Sequence, residues 1–218
     1  MTGKAQSGTN VSESVFIIDD DESICEGLTN LLESVGIEAQ SYPSAEAFMK
    51  SWNRAAAGCL LLDARLPGVS GVEFQELLKD SDIDLPIIFM TAHGDMPMVR
   101  KVMKAGAVEF LIKPFKQEEL LHAVEQAFAI DRVRRSENEI VRSIRSRIDS
   151  LTPREREVMH MVTAGLLNKQ IAAELNLSEI TVKLHRRGVM DRMRAGSLAD
   201  LVKMCERVKE PSWQGPRE

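Results

Sequence analysis

The sequence predicts an α/β domain built on a doubly wound, parallel five-stranded sheet, followed by an all-α domain of four helices. Three observations predict it. In the first part of the chain, short and almost wholly apolar runs alternate five times with amphipathic stretches. Such runs suit strands buried on both faces of a parallel sheet that is covered by helices. From about residue 150 the pattern changes to short helical segments, each opened by a Thr, Asn or Ser. The charge divides at the same place. Ser14 to Asp131 carries 9 Lys+Arg against 20 Asp+Glu, a net of −11, and Arg132 onward carries 18 against 12, a net of +6. The asymmetry suggests that only the second half meets a polyanion, although solvated helix faces alone would also produce it.

The elements follow in order. Residues before Ser14 are small and polar and read as a disordered tail, with no apolar core for a secretion signal. Val15 to Ile18 is the first strand, and it ends in Asp19-Asp20-Asp21-Glu22. Ile24, Leu28, Leu31, Leu32 and Val35 mark a helix that stops at Gly36. Ile37 to Ser41 is a weaker edge strand. Ser44 caps a helix that runs to about Trp52. Cys59-Leu60-Leu61-Leu62 is the most apolar run, and Asp63 ends it. A turn with Pro67 and Gly68 leads to a helix from Gly71 to about Lys79. Leu85 to Met90 is the fourth strand and ends at Thr91. A helix from Asp95 to near Gly106 precedes the fifth strand, Val108 to Ile112, which ends at Lys113-Pro114. The last helix of this half begins at Gln117. Alternation of this kind makes the sheet parallel.

In a parallel sheet these strand ends share one edge, where open α/β sheets place their chemistry. That edge receives Asp19, Asp20, Asp63, Thr91 and Lys113. Clustered carboxylates repel one another and call for a cation. Hard oxygen ligands with an open position suit Mg²⁺, which keeps waters and accepts phosphate as a ligand. A carboxylate beside such a metal can act as a nucleophile towards phosphorus. An ammonium and a hydroxyl can then hold the phosphoryl oxygens. The plainer reading of the acidic run is helix capping. Joint occurrence at successive strand ends favours the site.

The segments IIDDDES, LLLDARLPGVSG, IIFMTAHGDMPM and EFLIKPF together resemble the flavodoxin-like receiver domain of two-component response regulators, over about Val15 to Asp131. The TAHGDMPM segment especially resembles the FixJ-type subset. The resemblance implies that Asp63 accepts a phosphoryl group from a sensor histidine kinase. It implies that Asp20, Asp63 and the backbone carbonyl of Arg65 hold Mg²⁺, with Asp19 acting through water. It assigns Thr91 and Lys113 to the phosphoryl group and Phe110 to a switch aromatic, and it implies a cis Lys113–Pro114 bond. Met96, Met98, Val99 and Met103 would lie on or near the face that switches, unless they are ordinary core residues.

An apolar series continues from Leu120 through Phe128, Ile130 and Val133 to Ile140, Ile144 and Ile148, among six arginines. It fits one long helix whose stripe serves as a dimer seam, or packs on either neighbouring domain. A partly disordered charged linker is the alternative. Beyond it, Thr152, Pro153 and Glu155 supply the N-cap, first position and capping-box acid of a helix with Val158, Met159, Val162 and Leu166 on its apolar face. Asn168 is expected to cap a short helix to Leu175. Ser178 caps a third with Ile180, Val182, Leu184 and Val189, and Ser197 a fourth. Two short helices joined by a tight turn form a helix-turn-helix or a plain helical bundle.

The wording LTPREREVMHMVTAGLLNKQIAAELNLSEITVKLHRRGVMDRM resembles the LuxR-type DNA-binding domain, over about Ser150 to Val208. The resemblance points to Lys183, Leu184 and Arg187 for base readout. Thr181, His185 and Lys169 point to phosphates, with Arg186 as a further cation on the same helix. Gly188 departs from the family pattern, and a mid-helix glycine costs about 1 kcal/mol relative to alanine. A less rigid recognition helix is the expectation.

The expected organisation is a receiver at 14–131, a helical linker at 132–149 and a DNA-binding domain at 150–210. The expected protein is a cytoplasmic, phosphorylation-activated transcriptional regulator of the NarL/FixJ type rather than an enzyme. Its partners would be a histidine kinase, double-stranded DNA and, once phosphorylated, a second copy, with no membrane. Cys25, Cys59 and Cys205 form no CxxC pair and suit packing in a reducing compartment. One rival is a phosphatase or phosphotransferase using Asp63; in enzymes that resemble haloacid dehalogenases an acid stands two residues on, where this chain has Arg65. A DNA-binding protein with a vestigial receiver is the other rival. The intact set of Asp20, Asp63, Thr91 and Lys113 argues against it.

Overall fold

The computed structural model describes residues 12–53, 56–81, 83–92 and 96–210. The chain forms two compact units, Met1–Arg134 and Arg135–Glu218. The expected tail before Ser14 falls mainly outside the described residues, as does the expected helix start at Asp95.

In the first unit the strands are β1 (Glu13–Ile18), β2 (Glu38–Tyr42), β3 (Ala57–Asp63), β4 (Ile87–Thr91) and β5 (Glu109–Ile112). Helices α1 (Glu22–Ser34), α2 (Ala45–Ser51), α3 (Gly71–Asp80) and α4 (Met96–Lys104) alternate with them, and α5 spans Gln117–Asp149. The sheet order is β2-β1-β3-β4-β5, with every pairing parallel. Two residues one apart on a strand point to opposite faces. Phe16, Ile18, Leu60, Leu62 and Phe89 therefore meet Phe48, Phe74, Leu78 and Val102 on one face. Val15, Ile17, Cys59, Leu61, Ile88 and Met90 meet Leu28, Leu32, Leu120, Val124 and Phe128 on the other. This two-sided burial is why the strand sequences show no alternation. β2 lies at the edge, and its residues are half-buried or exposed, which explains its weaker pattern.

A tie at the opposite end of the sheet was not visible in the sequence. Asp131 of α5 is fully buried. Its Oδ2 accepts from the Gly58 N–H at 3.0 Å, and its Oδ1 accepts from the Arg134 guanidinium. Gly58 has φ +136°, and a Cβ there would stand 1.8 Å from the Ser14 carbonyl oxygen. Only glycine can bring that N–H to Asp131 while β1 lies alongside.

The second unit contains α6 (Pro153–Thr163), α7 (Asn168–Leu175), α8 (Glu179–Met193) and α9 (Leu198–Arg207). Ile144 and Ile148 of α5 pack in its core with Val158, Val162, Ile171, Val182, Val189 and Leu201. Of the apolar series before them, Ile130, Val133 and Ile140 are exposed. Carbonyl groups near the end of α5 are satisfied from within this unit. Arg156 donates to the Ile148 carbonyl at 2.9 Å, and Arg192 to that of Ser150 at 2.8 Å.

One local expectation is corrected. Leu167, not Asn168, is the N-cap residue of α7. The Gln170 carboxamide oxygen accepts the Leu167 N–H at 2.8 Å, while Asn168 Oδ1 is engaged by Arg186 at 2.8 Å. The apolar set of α8 divides: Val182 and Val189 are in the core, whereas Ile180 and Leu184 are exposed. The three cysteines are free and buried, and burial pushes each thiol up, away from the reactive thiolate. Among the described residues, no helix is long and apolar enough to cross a membrane.

Candidate functional site

The carboxyl edge of the sheet gathers the strand-end residues. Asp63 ends β3 opposite Met90, and Thr91 ends β4 opposite Ile112. The Lys113 N–H donates to the Thr91 carbonyl at 2.7 Å, so the lysine leaves β5 beside the threonine. The Lys113–Pro114 peptide is cis.

Lys113 Nζ then bridges two acids, at 2.6 Å from Asp19 Oδ2 and 2.8 Å from Asp63 Oδ1. The other oxygen of Asp63, Oδ2, accepts the Arg65 N–H at 2.7 Å. Both acids are buried, and so is Thr91. Burial alone would lower the lysine pKa. The hydrogen bonds and charges of Asp63 and Asp19 outweigh it and hold the ammonium above the usual lysine range. The acid pair is thus neutralised in part by a cation from the end of β5, across β4 from Asp63.

The acidic run after β1 divides its labour. Asp21 is the N-cap of α1, accepting from Ser23 N at 2.9 Å and Ile24 N at 3.3 Å. Asp19 turns inward to Lys113, while Asp20 is exposed. Capping therefore accounts for one of the three aspartates.

Does this donor set suit Mg²⁺? Among the described residues, no three His, Cys, Asp or Glu side chains are preassembled into a metal cluster. Two buried carboxylates on one ammonium, an exposed acid next to them and nearby backbone carbonyls are nonetheless all hard oxygen donors. That set fits a Mg²⁺ ion, which needs only one or two carboxylates plus waters and phosphate.

Phe110 pairs with Phe89 across β4 and β5 and is half-buried against the core. Met98 also packs there, whereas Met96 and Met103 are exposed. The surface of α4 thus keeps two large, pliable side chains in solvent.

The second unit presents a different surface. On α8, residues divide among three directions by the helical period. Val182, Val189 and Met193 face the core. His185, Gly188 and Arg192 face the buried Glu155 of α6: Arg192 lies 3.2 Å from it, and His185 adds to the charge around it. Lys183, Leu184 and Arg187 face outward, the side chain of Arg187 being 83 % exposed. Lys169, at the start of α7, is also exposed. Thr181 is half-buried and shares a 2.8 Å hydrogen bond with Ser178 at the N-cap. Arg186 ties α8 to α7 through Asn168. Of the residues the resemblance points to, Lys183, Leu184, Arg187 and Lys169 are the accessible ones, and Arg186 and His185 are partly engaged.

Gly188 has a steric reason. The helix runs unbroken through it, and a Cβ there would stand 2.4 Å from Glu155 Oε1. That carboxylate cannot swing away freely, because its Oε2 accepts the Thr152 N–H at 2.9 Å and hydroxyl at 2.8 Å. Burial would raise its pKa, but the Thr152 hydrogen bonds, Arg192 and His185 outweigh this and hold it below the usual range. Its contribution to stability is therefore present above the ordinary glutamate value and lost as pH falls through the depressed folded value. Gly188→Ala should thus bring no helix-propensity gain in the native chain. With Glu155→Ala already present, the same change should stabilise by about 1 kcal/mol. Urea midpoints of the four proteins test this; equal effects of Gly188→Ala in both backgrounds would remove the steric argument.

The chain is similar to known proteins over both units. The family model for the response regulator receiver domain matches residues 15–125, and that for the luxR family of bacterial regulatory proteins matches residues 149–205. Nodulation protein W of Bradyrhizobium diazoefficiens is 50 % identical over 192 residues, covering 88 % of this chain and 85 % of its own. The transcriptional regulatory protein FixJ of the same organism is 37 % identical over 194 residues, covering 89 % of this chain and 95 % of its own. Among solved structures, the response regulator StyR superposes with a TM-score of 0.76 at 45 % identity, covering 90 % of this chain and 99 % of that one.

Proposed function

Because this chain belongs to the response regulators of the NarL/FixJ type, which join a receiver to a LuxR-type DNA-binding domain, we propose that phosphorylation of Asp63 controls its binding to DNA. The family is one of transcriptional regulators rather than classical enzymes. The domains are taken as 14–131, 132–149 and 150–210, and the protein as cytoplasmic.

The observation that carries the proposal is the setting of Asp63. One oxygen is fixed by Lys113 and the other by the Arg65 N–H, so the carboxylate is held in one orientation at an open strand end. A carboxylate oxygen of Asp63 attacks phosphorus as the phosphorus–nitrogen bond of a kinase phosphohistidine breaks. The imidazole nitrogen keeps the electron pair and takes a proton from solvent. Lys113 is already within reach to hold a phosphoryl oxygen, and Thr91 supplies a hydroxyl. Asp20, Asp63 and the Arg65 carbonyl would hold Mg²⁺, with Asp19 through water. When bound, the ion offsets the negative charge that gathers on the transferring group.

The added charge draws Thr91 and Lys113 towards the phosphoryl oxygens. Movement of Thr91 frees space into which Phe110 turns, and the α4–β5 surface changes shape. A second copy would then pair on that surface. Paired α8 helices would enter successive major grooves, with Lys183, Leu184 and Arg187 at base edges and Lys169, Thr181, His185 and Arg186 at or near phosphates.

Sedimentation with Mg²⁺, with and without beryllofluoride, tests this; beryllofluoride stands in for the phosphoryl group. A monomer that becomes a dimer, and binds DNA more tightly, only when Asp63 is intact is the expected result. A chain whose mass and DNA affinity are both indifferent to beryllofluoride would favour the vestigial reading.

A further inference from the structure

We propose that Ile180 reads a thymine methyl group in the major groove, one helical turn ahead of Leu184. This rests on the reading of α8 as the DNA-recognition helix and extends it to a residue that the family resemblance does not point to.

Ile180 is the second residue of α8 and is 80 % exposed; Leu184 is 68 % exposed. Two large aliphatic side chains four residues apart lie on the same face. Neither supports the second unit's core, whose α8 contributions are Val182, Val189 and Met193. Lys183 and Arg187 fall within the same outward sector, about 20–60° to one side of Ile180. The face is therefore apolar along one edge and cationic along the other.

That pattern matches one occupant. The major groove offers the thymine C5-methyl as its apolar feature, in a wall of hydrogen-bonding groups between two phosphate rails. The cations answer the polyanion, and the aliphatic pair answers methyl groups. A second protein surface suited to the same face would have to supply acids beside an apolar ridge, and the net positive charge of this half favours nucleic acid. The position of Ile180 also suits this role, because the N-terminal residues of a recognition helix approach base edges most closely. Four residues of helix span about 6 Å and successive base pairs rise about 3.4 Å. The two side chains would therefore address bases about two steps apart.

The experiment uses the full chain with Mg²⁺ and beryllofluoride. A preferred sequence is first selected from random duplex DNA. Each thymine in it is then replaced singly by uracil, which removes one methyl group and nothing else. The native protein should lose about fourfold in affinity at the thymines it reads, the worth of one buried methyl group. Ile180→Ala should bind that DNA more weakly and become indifferent to uracil at one of those positions. It should stay sensitive at the position that Leu184→Ala silences. Both variants change exposed residues, so circular dichroism should match the native chain.

An Ile180→Ala protein with the native pattern of uracil sensitivity overturns the inference and leaves the DNA-binding reading standing. Loss of dimerisation in Ile180→Ala, with uracil sensitivity unaltered, would assign the face to a second copy and also overturn it. A native chain that enriches no sequence at all overturns the DNA-binding reading, and this inference with it.

Discussion

Asp63→Asn is expected to lose phosphoryl incorporation from a phosphohistidine donor by at least about 10³-fold, as removal of a nucleophile does. The amide has no anionic oxygen to attack phosphorus. It also mismatches its surroundings. Asp63 accepts from Lys113 on one oxygen and from the Arg65 N–H on the other, and an amide NH₂ must face one of those donors. Lys113 keeps its 2.6 Å bond to Asp19, so the loss in stability should stay near one hydrogen bond, about 0.5–1.5 kcal/mol. Radiolabel uptake and urea unfolding check the two halves of this expectation. Retained label in a folded Asp63→Asn protein would move the nucleophile to another carboxylate, with Asp19 the first to test.

Asp131→Ala is expected to cost about 3–5 kcal/mol, as when one member of a buried ion pair is removed. The change strands the Gly58 N–H and the Arg134 guanidinium together. Arg134 has a second acid, Asp84, at 3.5 Å, but that carboxylate is 78 % exposed and compensates little. A domain's stability is only about 5–15 kcal/mol, so the receiver transition should move strongly in urea. Trp52, half-buried against the sheet, reports it once Trp213→Phe removes the other tryptophan. Because two units unfold, that transition is fitted by itself. A loss below about 1 kcal/mol would mean that solvent or another donor replaces the carboxylate. Asp131→Asn, which keeps an acceptor for Gly58 but turns a donor towards Arg134, should fall between the two.

The sequence made the strands and caps readable for local reasons. A strand buried on both faces must be apolar throughout, so Cys59 to Leu62 declared itself. A carboxylate at the end of such a run has few explanations, which made Asp63 visible. Thr152 with Glu155 is a capping box closed within four residues, and such a pair is written side by side in the chain. Asp131 was not readable, because an acid in a charged helix is usually a solvated one. Its partner, Gly58, lies 73 residues away.

The helix α8 shows the same division. Its start at Ser178 is local and was legible. Its facing was not, because Ile180, Val182, Leu184 and Val189 are all apolar, and groove and core both accept such residues. Only packing against α6 and α7 decides which of them turn inward. Gly188 looked like a weakness for the same reason: its neighbour Glu155 is 33 residues earlier, yet stands where a Cβ would go.

By itself the sequence determined the element order, the parallel sheet, the acidic strand ends and the helix caps at Ser44, Thr152, Ser178 and Ser197, because burial period and short-range hydrogen bonds are written in neighbouring residues. The tertiary structure alone decided that Asp19 turns to Lys113, that Asp131 ties α5 to β3, and that Ile180 faces solvent. Those outcomes depend on partners brought together across tens of residues, where contact follows from the packing of whole elements and leaves no local pattern.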